Sequence, residues 1–163
     1  MDKQYQFASE RLLYRGVEKR DASILVNWRS DSEIIRYFVD ATPISMNEHL
    51  RWFEKYQLDE TRYDFMIIHK EEQKEIGFVG VNHIDGQHCF INYTIADRDC
   101  RRHGYAVEAV MALCNCFHKE GLHCFLSKVH KDNISSRKVM ERLQFIEQSV
   151  EGDFITFEYF MPD

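Results

Sequence analysis

The stretch Arg101-Arg102-His103-Gly104-Tyr105-Ala106 lies between two segments of different periodicity and decides how the chain folds around it. Upstream, residues 89–96 are rich in aromatic and β-branched side chains and lack Pro and Gly, which is typical of a strand. Downstream, apolar residues recur at spacings of three and four, which is typical of a helix face: Ala106, Val110, Leu113, Cys114 and Phe117. The pattern predicts a strand, a short turn and a helix.

This turn is a predicted anion site. The first N–H groups of a helix have no intrahelical partner and lie at the positive end of its dipole, where a phosphate is stabilised. Gly104 lets a ligand approach the backbone without a Cβ, and Arg101 and Arg102 add two guanidinium groups. The single glycine excludes a Rossmann fingerprint, and no Gly-Lys-Ser/Thr follows as in a Walker loop. The turn is predicted to hold a pyrophosphate; the alternative, two solvated surface arginines, stays open.

A second motif follows about 30 residues later, at Asn133-Ile134-Ser135-Ser136 and Glu141-Arg142-Leu143-Gln144-Phe145. Together the two segments resemble the GNAT superfamily of acetyl-coenzyme A dependent N-acetyltransferases. The superfamily carries Gln/Arg-x-x-Gly-x-Gly/Ala and then Asn-x-x-Ser/Ala with Glu-Lys-Leu-Gly-Phe. The resemblance extends from about Arg11 to the C-terminus.

The remaining elements fit one domain, residues 1–163, of mixed α/β class. Before the turn we expect a strand at 11–17, a helix capped by Asp21, a short helix at 31–38, a helix after the capping box Ser45–Glu48, and a strand meander at 63–69, 76–84 and 89–96. After the helix of the turn we expect a strand at 122–129, a helix at 134–143, and strands at 145–150 and 154–161. Strand, helix and strand across 89–129 predict one parallel pair.

The resemblance implies a GNAT fold, with about seven mostly antiparallel strands, one central parallel pair and about four helices. It also implies that the two parallel strands diverge and that the pantetheine arm of acetyl-CoA, the expected cosubstrate, pairs with the backbone near Tyr93 to Ala96. The cofactor-binding residues implied in this way are Ile95, Ala96, Arg101, Arg102, His103, Gly104, Tyr105, Ala106, Asn133 and Ser136.

The donor for the leaving thiolate is not at its usual place. Many GNAT enzymes place a Tyr seven residues after the motif Asn, where this chain has Met140. Ser136, one helical turn after Asn133, is the best replacement. Its alternative role is a hydroxyl that bonds the backbone at a helix start, and Asn133 can equally cap that helix.

The general base is also missing from the place where some GNAT enzymes carry it, because residues 90–93 of the central strand contain no carboxylate. His49, His83, Glu48 and Tyr93 are the alternatives, acting directly or through water. Ser136, His49 and Tyr93 are therefore the predicted catalytic residues. Each histidine has the ordinary alternative of a surface or core-edge position.

The amine acceptor is expected to bind within the first 65 residues. Trp28-Arg29, residues 35–38 and Glu48-His49-x-x-Trp52-Phe53 resemble two GNAT groups. One acetylates protein N-termini, including those of ribosomal proteins, and the other a nucleotide-linked amino sugar. Trp28, Arg29, Phe38 and His49 are the predicted acceptor-binding residues. Aromatic side chains at helical spacing also have the alternative of plain core packing.

Composition narrows the function classes. A formal charge of −6 argues against nucleic-acid binding, and no apolar run approaches the length of a membrane span. We expect a cytoplasmic protein with reduced cysteines and no metal, active on a small-molecule or peptide amine as a monomer or homodimer. A non-catalytic acetyl-CoA sensor or scaffold is the alternative.

Overall fold

A computed structural model describes all 163 residues, and its centre is one sheet of eight strands in the order β1-β2-β3-β4-β5-β6-β8-β7. The strands are β1 (Gln6–Ala8), β2 (Leu12–Gly16), β3 (Tyr63–His69), β4 (Lys74–Asp85), β5 (His88–Ile95), β6 (Cys124–His130), β7 (Ile146–Glu151) and β8 (Phe154–Phe160). All neighbours are antiparallel except β5 and β6. The predicted mixed sheet with one central parallel pair is confirmed.

Five helices accompany the sheet: α1 (Ala22–Arg29), α2 (Ser32–Ile35), α3 (Met46–Leu58), α4 (Tyr105–His118) and α5 (Ile134–Arg142). The predicted capping box starts α3, because Ser45 Oγ accepts from the Glu48 N–H (3.2 Å) and Glu48 Oε2 accepts from the Ser45 N–H (2.7 Å). Helix α4 connects the two parallel strands and packs on β4 and β5, whereas α1 packs on α3. None of the helices combines the length and apolar character that crossing a membrane requires.

The two faces of the sheet carry separate apolar clusters. The larger cluster joins α4 and α5 to the sheet and includes Phe65, Phe117 and Met140, all almost completely buried. The smaller one packs α1 against β3 through Leu25 and Met66. Phe65 and Met66 are adjacent on β3 and therefore face opposite sides. The five cysteines, Cys89, Cys100, Cys114, Cys116 and Cys124, are buried free thiols.

Two features differ from the expectation. The sequence pattern does not predict β1, because three residues in a polar N-terminal segment show too little alternation, and β1 raises the strand count from about seven to eight. Asp21 does not cap α1 with its side chain. Its carboxylate instead forms a two-pronged ion pair with the buried Arg15 guanidinium (2.9 Å for each bond) and accepts from the Glu18 N–H (2.8 Å).

The parallel strands pair over a short distance. Only three residue pairs join β5 to β6, from His88 with Cys124 to Phe90 with Leu126. Beyond them β5 continues along β4 to Ile95, while β6 continues along β8 to His130. The edge of β5 from 91 to 95 therefore faces a gap with no strand partner, which is the divergence that the resemblance implies.

Candidate active site

A cavity of about 1660 Å³ opens where β5 and β6 diverge. At one end it is lined by the turn before α4 and by the start of α5. At the other end it is lined by residues of α1 and α3 and of the segment between α2 and α3. One continuous space therefore connects the predicted phosphate turn with the predicted acceptor region.

The phosphate turn ends at Gly104, the N-cap of α4, whose φ is +78°. A Cβ at this position would touch only the guanidinium of Arg11, at an ordinary 3.6 Å. The positive φ, and not a lack of space, is thus what favours glycine. The first paired N–H of the helix belongs to Glu108, which donates to the Gly104 carbonyl (3.1 Å). The N–H groups of residues 105–107 have no helical partner and form the positive end of α4.

The two arginines of the turn are placed differently. Arg101 donates from Nε to the Ile95 carbonyl (3.3 Å), and its Nη1 lies 3.5 Å from the Glu33 carboxylate. Arg102 has a φ of +64° and lines the cavity without a side-chain hydrogen bond to the rest of the chain. A non-glycine residue at positive φ costs about 1 kcal/mol or more, which is tolerated where the surrounding structure requires it.

The other predicted cofactor residues divide into two sets. Ile95, Tyr105, Ala106, Asn133 and Ser136 line the cavity. His103 and Ala96 lie outside it. The His103 ring is 3.1 Å from the Asp99 carbonyl, and the Ala96 N–H donates to the Ile76 carbonyl (2.8 Å).

Two hydroxyls meet across the gap between the strands. Tyr93 Oη on β5 lies 2.8 Å from Ser136 Oγ on α5. Asn133 caps α5, because its Oδ1 accepts from the Ser136 N–H (3.2 Å), so the Ser136 hydroxyl is not used as the cap. Burial raises the pKa of Tyr93 to about 12, against the opposing effect of the hydrogen bond with Ser136. At neutral pH Tyr93 is a protonated phenol and thus a proton donor instead of a base.

The acceptor end contains three of the four predicted residues: Arg29, Phe38 and His49 line the cavity. Trp28 does not. It packs on Phe78 at 6.3 Å between ring centroids, in the smaller apolar cluster. Trp52, one helical turn after His49, takes a place on the cavity wall.

His49 is almost fully buried, and its Nε2 has no hydrogen-bond partner. Burial, and then the nearby Arg29 cation, lower the pKa of His49, while Asp21 acts in the opposite direction. His49 is therefore a neutral imidazole at neutral pH. Glu48 is committed to the cap of α3, and His83 lies 2.6 Å from the side chain of Asn82.

A polar row crosses the sheet at the acceptor end, and the sequence pattern does not predict it. Asp64, Gly80 and Asn92 are direct neighbours on β3, β4 and β5. The Asp64 carboxylate accepts from Arg62 Nε (2.6 Å) and Asn92 Nδ2 (3.5 Å). A Cβ at Gly80 would lie 2.4 Å from Asp64 Oδ1, so only glycine leaves room for this carboxylate. No group of three or more His, Cys, Asp or Glu is arranged to hold a metal ion.

Comparison with known proteins agrees with this geometry. A family model described as the acetyltransferase (GNAT) domain matches residues 11–146. The chain belongs to the GNAT acetyltransferase family. An N-acetyltransferase from Bacillus licheniformis, p20, itself uncharacterised, is 29% identical over 153 residues, covering 90% of this chain and 85% of its own length.

Solved structures show the same fold at lower identity. The spermidine N-acetyltransferase of Vibrio cholerae, in complex with CoA and spermine, has a TM-score of 0.82 and 19% identity, covering 93% of this chain and 96% of the other. The ribosomal-protein-S5-alanine acetyltransferase of Vibrio fischeri has a TM-score of 0.75 and 19% identity, covering 96% of both chains. At these identities the likeness establishes the fold and leaves the acceptor undetermined.

The protonation state of His49 is directly measurable. We expect its imidazole to titrate below the usual pKa of about 6.5 in an NMR pH series, and Arg29→Met to raise that pKa by removing a nearby cation. As the pH is lowered below ~6.5, His49 takes up a proton in the unfolded chain before it does so in the folded chain. The free energy of unfolding therefore decreases on acidification until the pH is below the folded pKa. His49→Gln removes this titrating group, so the free energy of unfolding of the variant is expected to change less with pH. A His49 pKa at or above 6.5 would contradict the placement.

Proposed function

We propose that this chain transfers the acetyl group of acetyl-CoA to a primary amine by direct attack in a ternary complex. The observation that carries the proposal is one cavity containing an unpaired β5 edge, the positive end of α4 and a hydroxyl pair. The β5 edge suits the amides of pantetheine, since it offers backbone groups to an extended arm. Residues 101–106 suit the pyrophosphate, through helix N–H groups and the side chains of Arg101 and Arg102.

The reaction needs an unprotonated amine, a group that accepts the amine proton and a group that protonates the leaving thiolate. The amine must be unprotonated when its nitrogen bonds to the thioester carbon. The amine proton goes to the imidazole of His49, directly or through water, because this residue lines the cavity and is neutral. As the carbon–sulfur bond breaks, the departing sulfur takes a proton from Ser136, which takes one from Tyr93 through their 2.8 Å hydrogen bond. After the products leave, His49 releases its proton to water and Tyr93 regains one, so the net transfer is one proton from nitrogen to sulfur. Met140 is fully buried in the core and offers no alternative donor.

The acceptor that we propose is a nucleotide-linked amino sugar or a protein N-terminus. The support is the Arg29, Phe38 and Trp52 wall of the cavity, where an aromatic surface and a guanidinium accompany the neutral His49. The alternative, an acetyl-CoA sensor or scaffold without turnover, has two observations in its favour: the missing Tyr at Met140 and the missing carboxylate at residues 90–93 of β5.

Turnover with a panel of amines distinguishes the two functions. The panel contains UDP-linked amino sugars, peptides with free N-termini, aminoglycosides and polyamines, each incubated with acetyl-CoA while free CoA is measured. Acetylation of an amino sugar or a peptide N-terminus is the expected result. Tight CoA binding with no acetylated amine would instead identify a sensor.

The phosphate turn is tested by Gly104→Asp. Asp tolerates a positive φ better than most residues but places a carboxylate at the start of α4, so CoA affinity is expected to fall by about ten-fold or more. Gly104→Asn is the matched control, with nearly the same shape and no charge. Calorimetry of both folded variants compares them. Equal CoA affinities of Gly104→Asp and the parent protein would contradict the assignment of this turn as the pyrophosphate site.

The hydroxyl pair is tested by Ser136→Ala, Tyr93→Phe and the double variant. If the pair delivers one proton, each single variant is expected to lower kcat by ~10²-fold or more, and the double variant by little more than the worse single one. Ser23→Ala, on an exposed face of α1 outside the cavity, serves as the control. Near-normal kcat with a lowered melting temperature would leave Ser136 and Tyr93 with a purely structural role.

A further inference from the structure

The cavity is basic in a protein that is acidic overall. Its wall carries eight Lys and Arg side chains against three Asp and Glu, whereas the whole chain has 21 basic and 27 acidic residues. Part of this excess belongs to the phosphate turn, at Arg101 and Arg102. Lys138 and Arg142 lie on α5, and Lys128 lies on β6. Three arginines, Arg29, Arg36 and Arg62, line the acceptor end, where CoA phosphates are not expected.

The three acidic residues of the wall are already engaged. Asp64 is paired with Arg62 at 2.6 Å, and Glu33 with Arg98 at 2.6 Å. Asp40 is exposed, and its carboxylate accepts the N–H of Thr42 (3.0 Å). Asp40 is thus the one carboxylate of the wall without an ion pair, which is too few for the several ammonium groups of a polyamine. The charge pattern favours an acceptor that itself carries negative charge.

Arg29, at the acceptor end, makes no hydrogen bond or ion pair within the chain. Burial lowers its pKa, while the nearby carboxylates of Asp40 and Asp64 act in the opposite direction. The Nε of Arg29 is shielded from solvent and makes no hydrogen bond, and the same holds for Nε2 of His49. The guanidinium lies 5.4 Å from the ring centre of Phe38, on the cavity wall. Arg62, another arginine at this end, is already bound to Asp64. Because the Arg29 guanidinium lines the cavity and none of its nitrogens is hydrogen-bonded within the chain, its terminal N–H groups are left for a ligand to bind.

We propose that Arg29 is an anion subsite, which binds a phosphate or carboxylate group of the amine acceptor beside His49. The subsite rests on the proposed function, since it assigns a ligand to the acceptor end of the same cavity. It makes the acceptor an anionic amine and excludes a polyamine as the preferred substrate. A guanidinium suits both anions, because its parallel N–H groups match two oxygens of either.

The test uses two matched pairs of amines that differ in one anionic group. Glucosamine 6-phosphate against glucosamine tests phosphate, and alanylalanine against its amide tests carboxylate, with spermidine as the polycationic comparison. Calorimetry measures the binding of each to CoA-saturated protein, and turnover with acetyl-CoA gives KM and kcat separately. At least one anionic member is expected to bind about ten-fold or more tightly than its neutral partner.

Variants connect this preference to one side chain. Arg29→Met keeps most of the apolar stem and is expected to abolish the preference, whereas Arg29→Lys keeps part of it. Arg51→Met makes the same change on an exposed face of α3, outside the cavity, and is expected to keep the full preference. Melting temperatures show whether each variant is folded.

The outcomes separate the subsite from the proposed function. Equal affinity within both pairs, no measurable binding of either anionic amine, a preference that survives Arg29→Met, or spermidine as the best ligand each overturns the subsite. Acetylation of the neutral amines together with any of these results leaves the acetyltransferase proposal intact. Failure to bind CoA and to acetylate any amine overturns the proposed function itself.

Discussion

The short pairing of β5 with β6 is the constraint on which the rest of the site depends. Each strand satisfies its other edge along an antiparallel neighbour, β4 for one and β8 for the other. After Phe90 and Leu126 these two neighbours draw the strands apart, and the backbone between 91 and 95 is left with an open edge. An open edge inside a protein requires a partner, because unpaired backbone groups are costly. The cavity, the Tyr93–Ser136 bridge and the start of α4 all border this opening.

The unpaired polar groups at the two ends of the cavity belong to different parts of the chain. Near α4 the unpaired groups belong to the main chain, and their number is set by helix geometry. At the acceptor end they belong to side chains, Arg29 and His49, while Asp64 and Asn92 satisfy one another. The first arrangement suits a ligand common to the whole family. The second depends on individual residues, so it is where specificity for one amine can arise.

Much of the fold could be predicted from the sequence because it is encoded locally. The capping box at Ser45 and the strand meander both follow from short patterns, and each is confirmed. The site residues were harder to predict. Trp28 and Trp52 have equivalent aromatic side chains on amphipathic helices, and only the packing of α1 and α3 sends one to the core and the other to the cavity. Asp64 was missed because its partners, Gly80 and Asn92, meet it only through strand register, although a lone Asp within an apolar strand was a visible signal.

The burial of all five cysteines has a chemical consequence for a protein that handles a thioester. A thiol exchanges with thioesters and disulfides as its thiolate. Burial raises the pKa of Cys116 to about 11 and that of Cys89 to about 12, and it also raises the pKa of Cys100, Cys114 and Cys124. Near neutral pH the chain therefore presents almost no thiolate of its own. In the proposed function, the packing of the core would thus by itself protect these cysteines from acetylation and from mixed disulfides with CoA.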